Sequence, residues 1–304
     1  MPIKVQSDLP ARAILEDENI FVMDEYRAQH QDMRPLQICI LNLMPVKQDT
    51  ELQLLRSLSN TPLQVDVTFM KMNSHTSLNT SPTHLNKFYN TFNELKSHKY
   101  DGLIITGHPW NRSPLKRWIT GRSSAKSWNG QRAMSPAPSI YAGEPRRVFY
   151  YHFGLNKVLL PEKLFGVFSH KVSNRRVPLV RGFDDYFYIP HSRHTTVPAE
   201  EIHACRELLV MAESEEAGVL LAMAGEGRQI FVMGHPEYDR YTLHNEYMRD
   251  KEKNLPIQVP LNYYPEDDCT QRPTMLWRSH CNDLYTNWLN YYVYQATPYD
   301  LGEI

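Results

Sequence analysis

The 304-residue chain is poor in cysteine, has no long apolar run and carries almost no net charge. Its four cysteines stand apart with no Cys-x-x-Cys pair, which argues against a disulfide framework and against a zinc site. No stretch approaches the roughly 18 apolar residues of a membrane span, and the first residues lack the apolar core of a signal peptide. The formal net charge of −1 gives no field to recruit nucleic acid or an anionic membrane. These absences predict a cytoplasmic, reduced protein without a metal, and with neither nucleic acid nor membrane as partner.

What the chain has is the composition of an ordinary folded protein, with 41% hydrophobic and 22% charged residues. Apolar runs at 36–44 and 100–107 are typical of buried parallel strands. Between them lie helical apolar spacing at 49–59 and a strand-like run at 63–69. This alternation predicts an α/β fold with a doubly wound sheet. Because no repeat or clean linker interrupts it, we predict a single domain over residues 1–304.

Residues 108–149 differ in composition from the rest of the chain. They contain eight Lys or Arg residues against the single acid Glu144, are rich in Ser, Pro and Gly, and sustain no helical or strand periodicity. On its own terms this stretch is a basic disordered insert, or a mobile surface loop that binds an anion. A loop of this length is unusual between core strands of a compact domain, and we expect it to pack poorly.

The strongest local signal is residues 230–238, an apolar run that ends at Gly234 and is followed at once by His235 and Glu237. Ligands of open α/β sheets gather at the carboxyl ends of strands, where this turn would lie. A histidine there can act as general base, and a nearby carboxylate can fix its tautomer and stabilise the imidazolium. The alternative is a histidine that caps a turn beside a solvated glutamate. As a catalytic pair, the two residues also require a nucleophile.

Three weaker signals lie elsewhere in the chain. Residues 183–194 place polar groups, Ser192 among them, after a short apolar run, as a substrate-binding loop or a solvated turn would. Arg249 lies on a helix predicted to begin near Tyr241, and its planar guanidinium could clamp a substrate carboxylate. A surface ion pair is the alternative. Lys163 is a cation with the same two interpretations.

Six segments carry long and specific motifs. They are 41–45 (LNLMP), 101–107 (DGLIITG), 181–185 (RGFDD), 190–193 (PHSR), 234–239 (GHPEYD) and 286–295 (TNWLNYYVYQ). Together they resemble the homoserine O-acyltransferases of the MetA type, and the resemblance covers nearly the whole chain apart from 108–149. It implies a class I glutamine-amidotransferase-like, flavodoxin-like α/β fold and a homodimer. It implies no cofactor, since acyl-CoA is a co-substrate.

The same resemblance implies ping-pong transfer of an acyl group from acyl-CoA to the hydroxyl of L-homoserine. In the family a cysteine forms the acyl thioester, the histidine matching His235 is the general base, and the glutamate matching Glu237 supports it. Positions matching Lys163, Ser192 and Arg249 contact substrate. The chemistry agrees, because a thiolate beside a histidine is a competent acyl acceptor and a guanidinium suits the homoserine carboxylate.

The chain departs from the family at the nucleophile. A Cys-Trp-Gly turn should precede residues 150–154, and Ala142 stands at the place of its cysteine. An alanine cannot form a thioester. Either the chain is a non-catalytic homologue with a replaced segment, or residues 108–149 are translated out of frame.

A one-base shift reconciles residues 108–149 with the family. If each true codon begins one nucleotide earlier, 115–118 become compatible with Phe-Glu-Glu-Val and 119–121 with Asp-Tyr-Trp. Residues 140–148 become compatible with His-Ile-Cys-Trp-Gly-Ala-Gln-Ala-Gly, which puts a cysteine at position 142. We therefore interpret the stretch as out of frame, with one base lost near its start and one gained near its end.

The shift also bears on the acyl donor. In the family, a glycine at the position of Asn111 accompanies succinyl-CoA and a glutamate accompanies acetyl-CoA. A glutamate would fill the space and repel the free carboxylate of a succinyl group. Trp110 has only the codon TGG and Asn111 begins AA, so the shifted codon encodes glutamate. The predicted donor is acetyl-CoA, with succinyl-CoA as the alternative, and the product would enter methionine biosynthesis.

Overall fold

A computed structural model of the chain describes residues 3–23, 34–72, 79–107, 138–142 and 146–296, without the side chains of 146 and 147. In chain order the strands are β1 Ile3–Lys4, β2 Val22–Met23, β3 Leu36–Leu41, β4 Val65–Lys71, β5 Tyr89–Thr91, β6 Gly102–Ile105, β7 Ser139–Ala142, β8 Val158–Val172, β9 Tyr186–Thr196, β10 Leu209–Ser214, β11 Gly218–Ala224 and β12 Gln229–Val232. The α-helices are α1 Pro10–Asp17, α2 Lys47–Leu58, α3 Pro82–Phe88, α4 Phe92–Leu95, α5 Arg146–Phe153, α6 Ala199–Ala204, α7 Thr242–Glu252 and α8 Arg278–Asn287.

These strands form one mixed sheet in the order β2-β1-β4-β3-β6-β7-β12-β11-β10-β8-β9, with β5 beside β4. Neighbours run parallel from β2 to β12 and antiparallel from β12 to β9. The chain leaves β3 for β4 and then crosses to β6 on the other side of β3. This reversal is the switch point of a doubly wound sheet. The predicted α/β architecture is confirmed.

The central strand β3 shows why the sheet forms here. Its side chains alternate between two faces, and both faces are covered. Ile38 and Ile40 pack into one apolar cluster, while Cys39 and Leu41 pack into the other. All four are 3% exposed or less. A strand buried on both faces appears in the sequence as a continuous apolar run, which is the pattern that predicted it.

Several elements differ from the prediction. The strand expected at 164–168 spans Val158–Val172, because β9 and β10 supply pairing partners along it. The helix expected over 276–292 is α-helical only to Asn287 and continues as a π-helix over Trp288–Tyr294. Across the described ranges, every helix is too short or too polar to span a bilayer.

Most of the stretch 108–149, for which poor packing is predicted, lies outside the described residues, and the part that the structure describes is packed. β7 lies between β6 and β12, with Ile140 in register with Ile104 and Ile230. Ile140 is completely buried, and so is Phe149 on α5, whose ring lies 4.6 Å from that of Phe231. Four residues are too few to show periodicity, but Ile140, Tyr141 and Ala142 are buried in the slot between two parallel strands.

Candidate active site

Four parallel strands end side by side at one edge of the sheet. In order they are β3, β6, β7 and β12, followed by Asn42, Thr106, residue 143 and Met233. The turn after β3 is tied to its neighbour, because Thr106 Oγ1 accepts a hydrogen bond from the Leu43 backbone N–H at 2.7 Å. This edge contains the switch point, where α/β folds bind ligands.

His235 and Glu237 lie in the turn that follows β12. Nδ1 of His235 is 2.9 Å from Oε1 of Glu237, and the two residues are only 7% and 8% exposed. The backbone of His235 is fixed from both sides, since its N–H donates to Pro190 O at 2.9 Å and its carbonyl accepts from Tyr238 N–H at 3.2 Å. Within the described part of the chain, Oε2 of Glu237 has no hydrogen-bond partner. The carboxylate therefore acts on the imidazole through Oε1 alone.

This geometry suits a general base. With the Nδ1 proton donated to Glu237, Nε2 of His235 carries the lone pair and can accept a proton from a nucleophile. The buried carboxylate favours the imidazolium that results. The structure thus brings His235 and Glu237 together and removes the Glu237 carboxylate from solvent, while their catalytic role stays a prediction.

Ala142 is the last residue of β7. It is in register with Val232 of the neighbouring β12, three residues before His235, and it is 3% exposed. Helix α5 begins at Arg146, so position 142 ends a strand that is followed within a few residues by a helix. That local topology presents catalytic nucleophiles in several α/β enzymes. A methyl group at this place has no chemistry to offer.

Neither of the two buried cysteines, Cys39 and Cys281, can serve as the missing nucleophile. Burial raises the pKa of the Cys39 thiol, in the middle of β3, to about 12. Burial likewise raises the pKa of the Cys281 thiol to about 12, and its Sγ lies 3.3 Å from Ser57 Oγ. Both thiols remain protonated near neutral pH, and the thiol form is a poor nucleophile.

Ser192 on β9 and Lys163 on β8 both reach Glu246 on α7. Ser192 Oγ donates to Oε2 of Glu246 at 2.6 Å, and Lys163 Nζ lies 3.2 Å from the same oxygen. Lys163 Nζ also sits 3.9 Å from the centroid of the Phe165 ring, a cation–π contact. The side chains of Lys163 and Glu246 are 14% and 18% exposed, so this ion pair is partly removed from water.

Arg249 lies one turn after Glu246 on α7 and therefore on the same face of the helix. Its Nε donates to Oδ1 of Asp250 at 2.6 Å, and Oδ2 of Asp250 is 3.8 Å from Lys163 Nζ. The Arg249 side chain is 53% exposed, which makes it the outermost of the group. The structure thus brings Lys163, Ser192 and Arg249 into one cluster through two acids that sequence reasoning missed.

Tyr238 joins this cluster to the His235–Glu237 pair. Its ring stacks on that of His235, with centroids 4.2 Å apart and planes 12° apart, and its hydroxyl donates to Oε1 of Glu246 at 3.3 Å. Burial, together with the charges of Glu246 and Glu237, raises the pKa of Tyr238 well above its usual value. The phenol is therefore always a donor. Tyr238 was not singled out from the sequence, although its place in the 234–239 motif could have indicated that it belongs to the site.

A second buried polar cluster supports the turn after β3. Lys47 Nζ donates to the carbonyl of Asn42 at 2.6 Å, while the carboxylate of Glu51 accepts from Tyr89 Oη at 2.6 Å and lies 2.9 Å from His84 Nε2. Burial lowers the pKa of Lys47 to about 8 against the opposing charge of Glu51. The cluster was not predictable, because its partners are up to 47 positions apart.

Two remaining predictions concern other parts of the chain. Asn111, the expected determinant of acyl-donor choice, lies outside the described residues. Among the residues that the structure does describe, no three His, Cys, Asp or Glu side chains converge as they would to hold a metal ion.

Solved structures with the same architecture identify the fold. A glutamine amidotransferase from Thermotoga maritima superposes with a TM-score of 0.55 at 8% identity, over 86% of this chain and 100% of that one. At that identity the likeness concerns the fold alone. The predicted class I glutamine-amidotransferase-like, flavodoxin-like fold is confirmed.

Sequence comparisons identify the family. The family model described as homoserine O-succinyltransferase matches residues 2–299. A homoserine O-acetyltransferase from Lachnoclostridium phytofermentans is 57% identical over 303 residues, which cover 99% of this chain and 100% of that protein. Another from Lachnospira eligens is 55% identical over 305 residues, covering 100% of this chain and 98% of that protein. With its motifs, its fold and its whole length accounted for, the chain belongs to the homoserine O-succinyltransferase family.

Proposed function

We propose that the protein transfers an acetyl group from acetyl-CoA to the hydroxyl of L-homoserine, giving O-acetyl-L-homoserine for methionine biosynthesis in the cytoplasm. Acyl transfer to homoserine follows from the family. The observation that carries the mechanism is the buried His235–Glu237 pair, which follows β12 directly beside the strand that ends at Ala142. A cysteine at position 142 would complete a nucleophile, base and orienting acid.

In the first half-reaction, Nε2 of His235 takes the proton of the thiol at position 142. The thiolate attacks the carbonyl carbon of acetyl-CoA, the bond from that carbon to the CoA sulfur breaks, and CoA leaves with the proton from His235. In the second, His235 takes the proton of the homoserine hydroxyl, whose oxygen attacks the enzyme thioester. The bond to the enzyme sulfur breaks, and the thiolate recovers the proton. Glu237 stabilises the imidazolium in both halves.

The missing nucleophile is explained by a reading-frame error over 108–149. The alignment to the relative from Lachnoclostridium phytofermentans spans 303 residues, 99% of this chain and 100% of that protein, so the chain has nearly the length of that relative. Compensating base changes preserve length in this way, whereas a large insertion or deletion does not. In the shifted reading the cysteine falls at the end of β7, shortly before α5 begins at Arg146.

Acetyl-CoA is favoured as donor because the shifted codon at Asn111 encodes glutamate, whose charge would repel a succinyl carboxylate. The two full-length relatives from Lachnoclostridium and Lachnospira both carry the name homoserine O-acetyltransferase. Succinyl-CoA, which corresponds to the name of the family model, is the alternative donor.

The test uses two forms of the protein, the literal chain and a frame-restored chain in which 108–149 carry the shifted translation. The frame-restored chain should convert L-homoserine with acetyl-CoA faster than with succinyl-CoA, while the literal chain converts neither. Faster turnover with succinyl-CoA would reverse the donor assignment. Resequencing of codons 107 to 150 tests the frame itself, and an unaltered literal reading would refute the shift.

If the literal reading is correct, a second function follows from Ala142. The methyl group abolishes the nucleophile, whereas Lys163, Ser192 and Arg249 remain assembled. The protein would then bind homoserine without turnover. Calorimetric titration of the literal chain with L-homoserine measures this directly, and an absence of heat at millimolar ligand would exclude it.

A further inference from the structure

Four charged side chains form a neutral group near His235 and Glu237. Lys163 and Arg249 carry two positive charges, and Glu246 and Asp250 carry two negative ones. Lys163 Nζ lies 3.2 Å from Glu246 and 3.8 Å from Asp250, while Arg249 Nε lies 2.6 Å from Asp250. Every charge therefore has an internal partner.

The ion pairs within this group can be replaced by ion pairs with a ligand. Among the described residues, Arg249 is hydrogen-bonded by its side chain to Asp250 alone, and that side chain is 53% exposed, so it can turn toward a ligand without disturbing the core. Burial raises the pKa of Asp250, but the hydrogen bond from Arg249 and the charges of Arg249, Lys163 and Lys253 outweigh it and lower that pKa. Asp250 is thus an anion that accepts a hydrogen bond from the Arg249 guanidinium, as a substrate carboxylate would.

Glu246 lies on the opposite side of the group, toward the base. It accepts hydrogen bonds from Ser192 at 2.6 Å and from Tyr238 at 3.3 Å, and the Tyr238 ring is stacked on His235. In homoserine only three carbon atoms separate the reacting hydroxyl oxygen from the ammonium nitrogen. An ammonium bound at Glu246 would therefore keep the hydroxyl on the His235 side, and the carboxylate would point outward toward Arg249.

We propose that Glu246 binds the α-ammonium of the acceptor amino acid and that Asp250 is the internal stand-in for its carboxylate, so that a zwitterion enters by exchange of partners. The inference rests on the proposed function, in which the acceptor is L-homoserine. The exchange leaves the group neutral, since the zwitterion adds one charge of each sign. A ligand with only one of the two charges would leave a half-buried side chain without a counter-ion.

The first experiment is calorimetric titration of the literal chain, which needs no nucleophile, with three ligands. They are L-homoserine, 4-hydroxybutyrate, which lacks the ammonium, and 3-aminopropan-1-ol, which lacks the carboxylate. Because each lost charge-assisted hydrogen bond costs about 1.5–3 kcal/mol, both analogues should bind about 10- to 150-fold more weakly. Equal affinity for L-homoserine and 4-hydroxybutyrate would overturn the proposal, as would failure to bind L-homoserine.

The second experiment compares E246Q with D250N. E246Q should weaken L-homoserine binding about 10-fold or more and leave 4-hydroxybutyrate binding unchanged, so that the preference disappears. D250N should strengthen 4-hydroxybutyrate binding, because the cations lose a competitor. E252Q, at an exposed position of the same helix, should match the parent chain. Equal weakening of both ligands by E246Q, or weaker 4-hydroxybutyrate binding in D250N, would overturn the proposal.

The outcome is separable from that of the proposed function. Acyl transfer by the frame-restored chain tests the reaction, and ligand preference of the literal chain tests the role of Glu246. If the frame-restored chain is active with L-homoserine but E246Q retains its full preference for the zwitterion, the inference about Glu246 is refuted and the proposed function is not.

Discussion

The imidazole ring of His235 lies flat against the phenol ring of Tyr238, with centroids 4.2 Å apart and planes 12° apart. On its other edge the imidazole is held by Glu237 through Nδ1. The stacking on Tyr238 fixes the plane of the ring, and the hydrogen bond to Glu237 fixes its rotation within that plane. Together the two contacts set the direction in which Nε2 points. The flat contact holds the orientation of the imidazole, and the hydrogen bond sets its tautomer.

Removal of the Tyr238 ring should therefore reduce catalysis more than removal of its hydroxyl. In the frame-restored chain, Y238L loses the stack, which is worth about 0.5–1.5 kcal/mol, and should lower kcat about 2- to 10-fold. Y238F keeps the stack and loses only the hydrogen bond to Glu246, so its effect should fall mainly on the KM for homoserine. Steady-state kinetics separate the two, and a kcat loss as large in Y238F as in Y238L would contradict this role.

E237Q should disable the base while leaving substrate binding intact. The amide is neutral and no longer stabilises the imidazolium, and one of its orientations presents an N–H to Nδ1 and favours the wrong tautomer. We expect kcat of the frame-restored chain to fall about 10²- to 10⁴-fold. Release of CoA in a single turnover without homoserine measures the acylation step alone. E215Q, at an exposed site, is the control, and acylation by E237Q within threefold of the parent rate would refute the assignment.

Gly234 is required because no side chain fits beside His235. A Cβ at this position would lie 2.8 Å from Ile189 Cγ2, 2.9 Å from Leu220 Cδ1 and 3.0 Å from His191 Nε2. G234A should lower the free energy of unfolding by about 1–3 kcal/mol and displace the base, with a loss of kcat.

G218A provides the contrast for that substitution. Gly218 has a φ of +70° but open space around it, so alanine there adds backbone strain of about 1 kcal/mol without a clash. Urea unfolding should detect both variants, whereas only G234A should lose activity. Full activity in G234A would show that the turn tolerates a shift.

The parts of this molecule that could be predicted from sequence are those with local patterns. The two-residue spacing of His235 and Glu237 after an apolar run places both on one turn, and β3 reveals itself by its continuous apolar run. Glu246 could not be found in this way. Its partners Ser192 and Lys163 lie 54 and 83 positions away, and only the pairing of β8 with β9 and the packing of α7 bring them together.

The strand β7 was missed for a different reason. Four residues from Ser139 to Ala142, set in a basic and Ser-rich stretch, are too few to show a strand pattern. Their place in the sheet depends on the slot between β6 and β12, which is a property of the tertiary structure.

A buried histidine should make the stability of the protein sensitive to acid. His170 and His191 are completely buried, with their Nε2 atoms 3.0 Å apart, and burial lowers the pKa of His170 to about 3. In the unfolded chain a histidine titrates near 6.5. Between these two values the unfolded state binds a proton that the folded state does not. The contribution of His170 to stability is therefore complete above pH 6.5 and is lost as the pH falls toward 3.

The slope of this loss is about 1.4 kcal/mol per pH unit, so His170 should lower the free energy of unfolding by about 2 kcal/mol between pH 7 and pH 5. H170Q cannot titrate and keeps a polar group able to hydrogen-bond His191, so its stability should fall by about 2 kcal/mol less over the same interval. Urea unfolding of both chains at the two pH values measures the difference. H98Q, at an exposed site, should behave as the parent chain. An equal fall in H170Q and the parent would mean that the folded protein accommodates a charge on this buried pair.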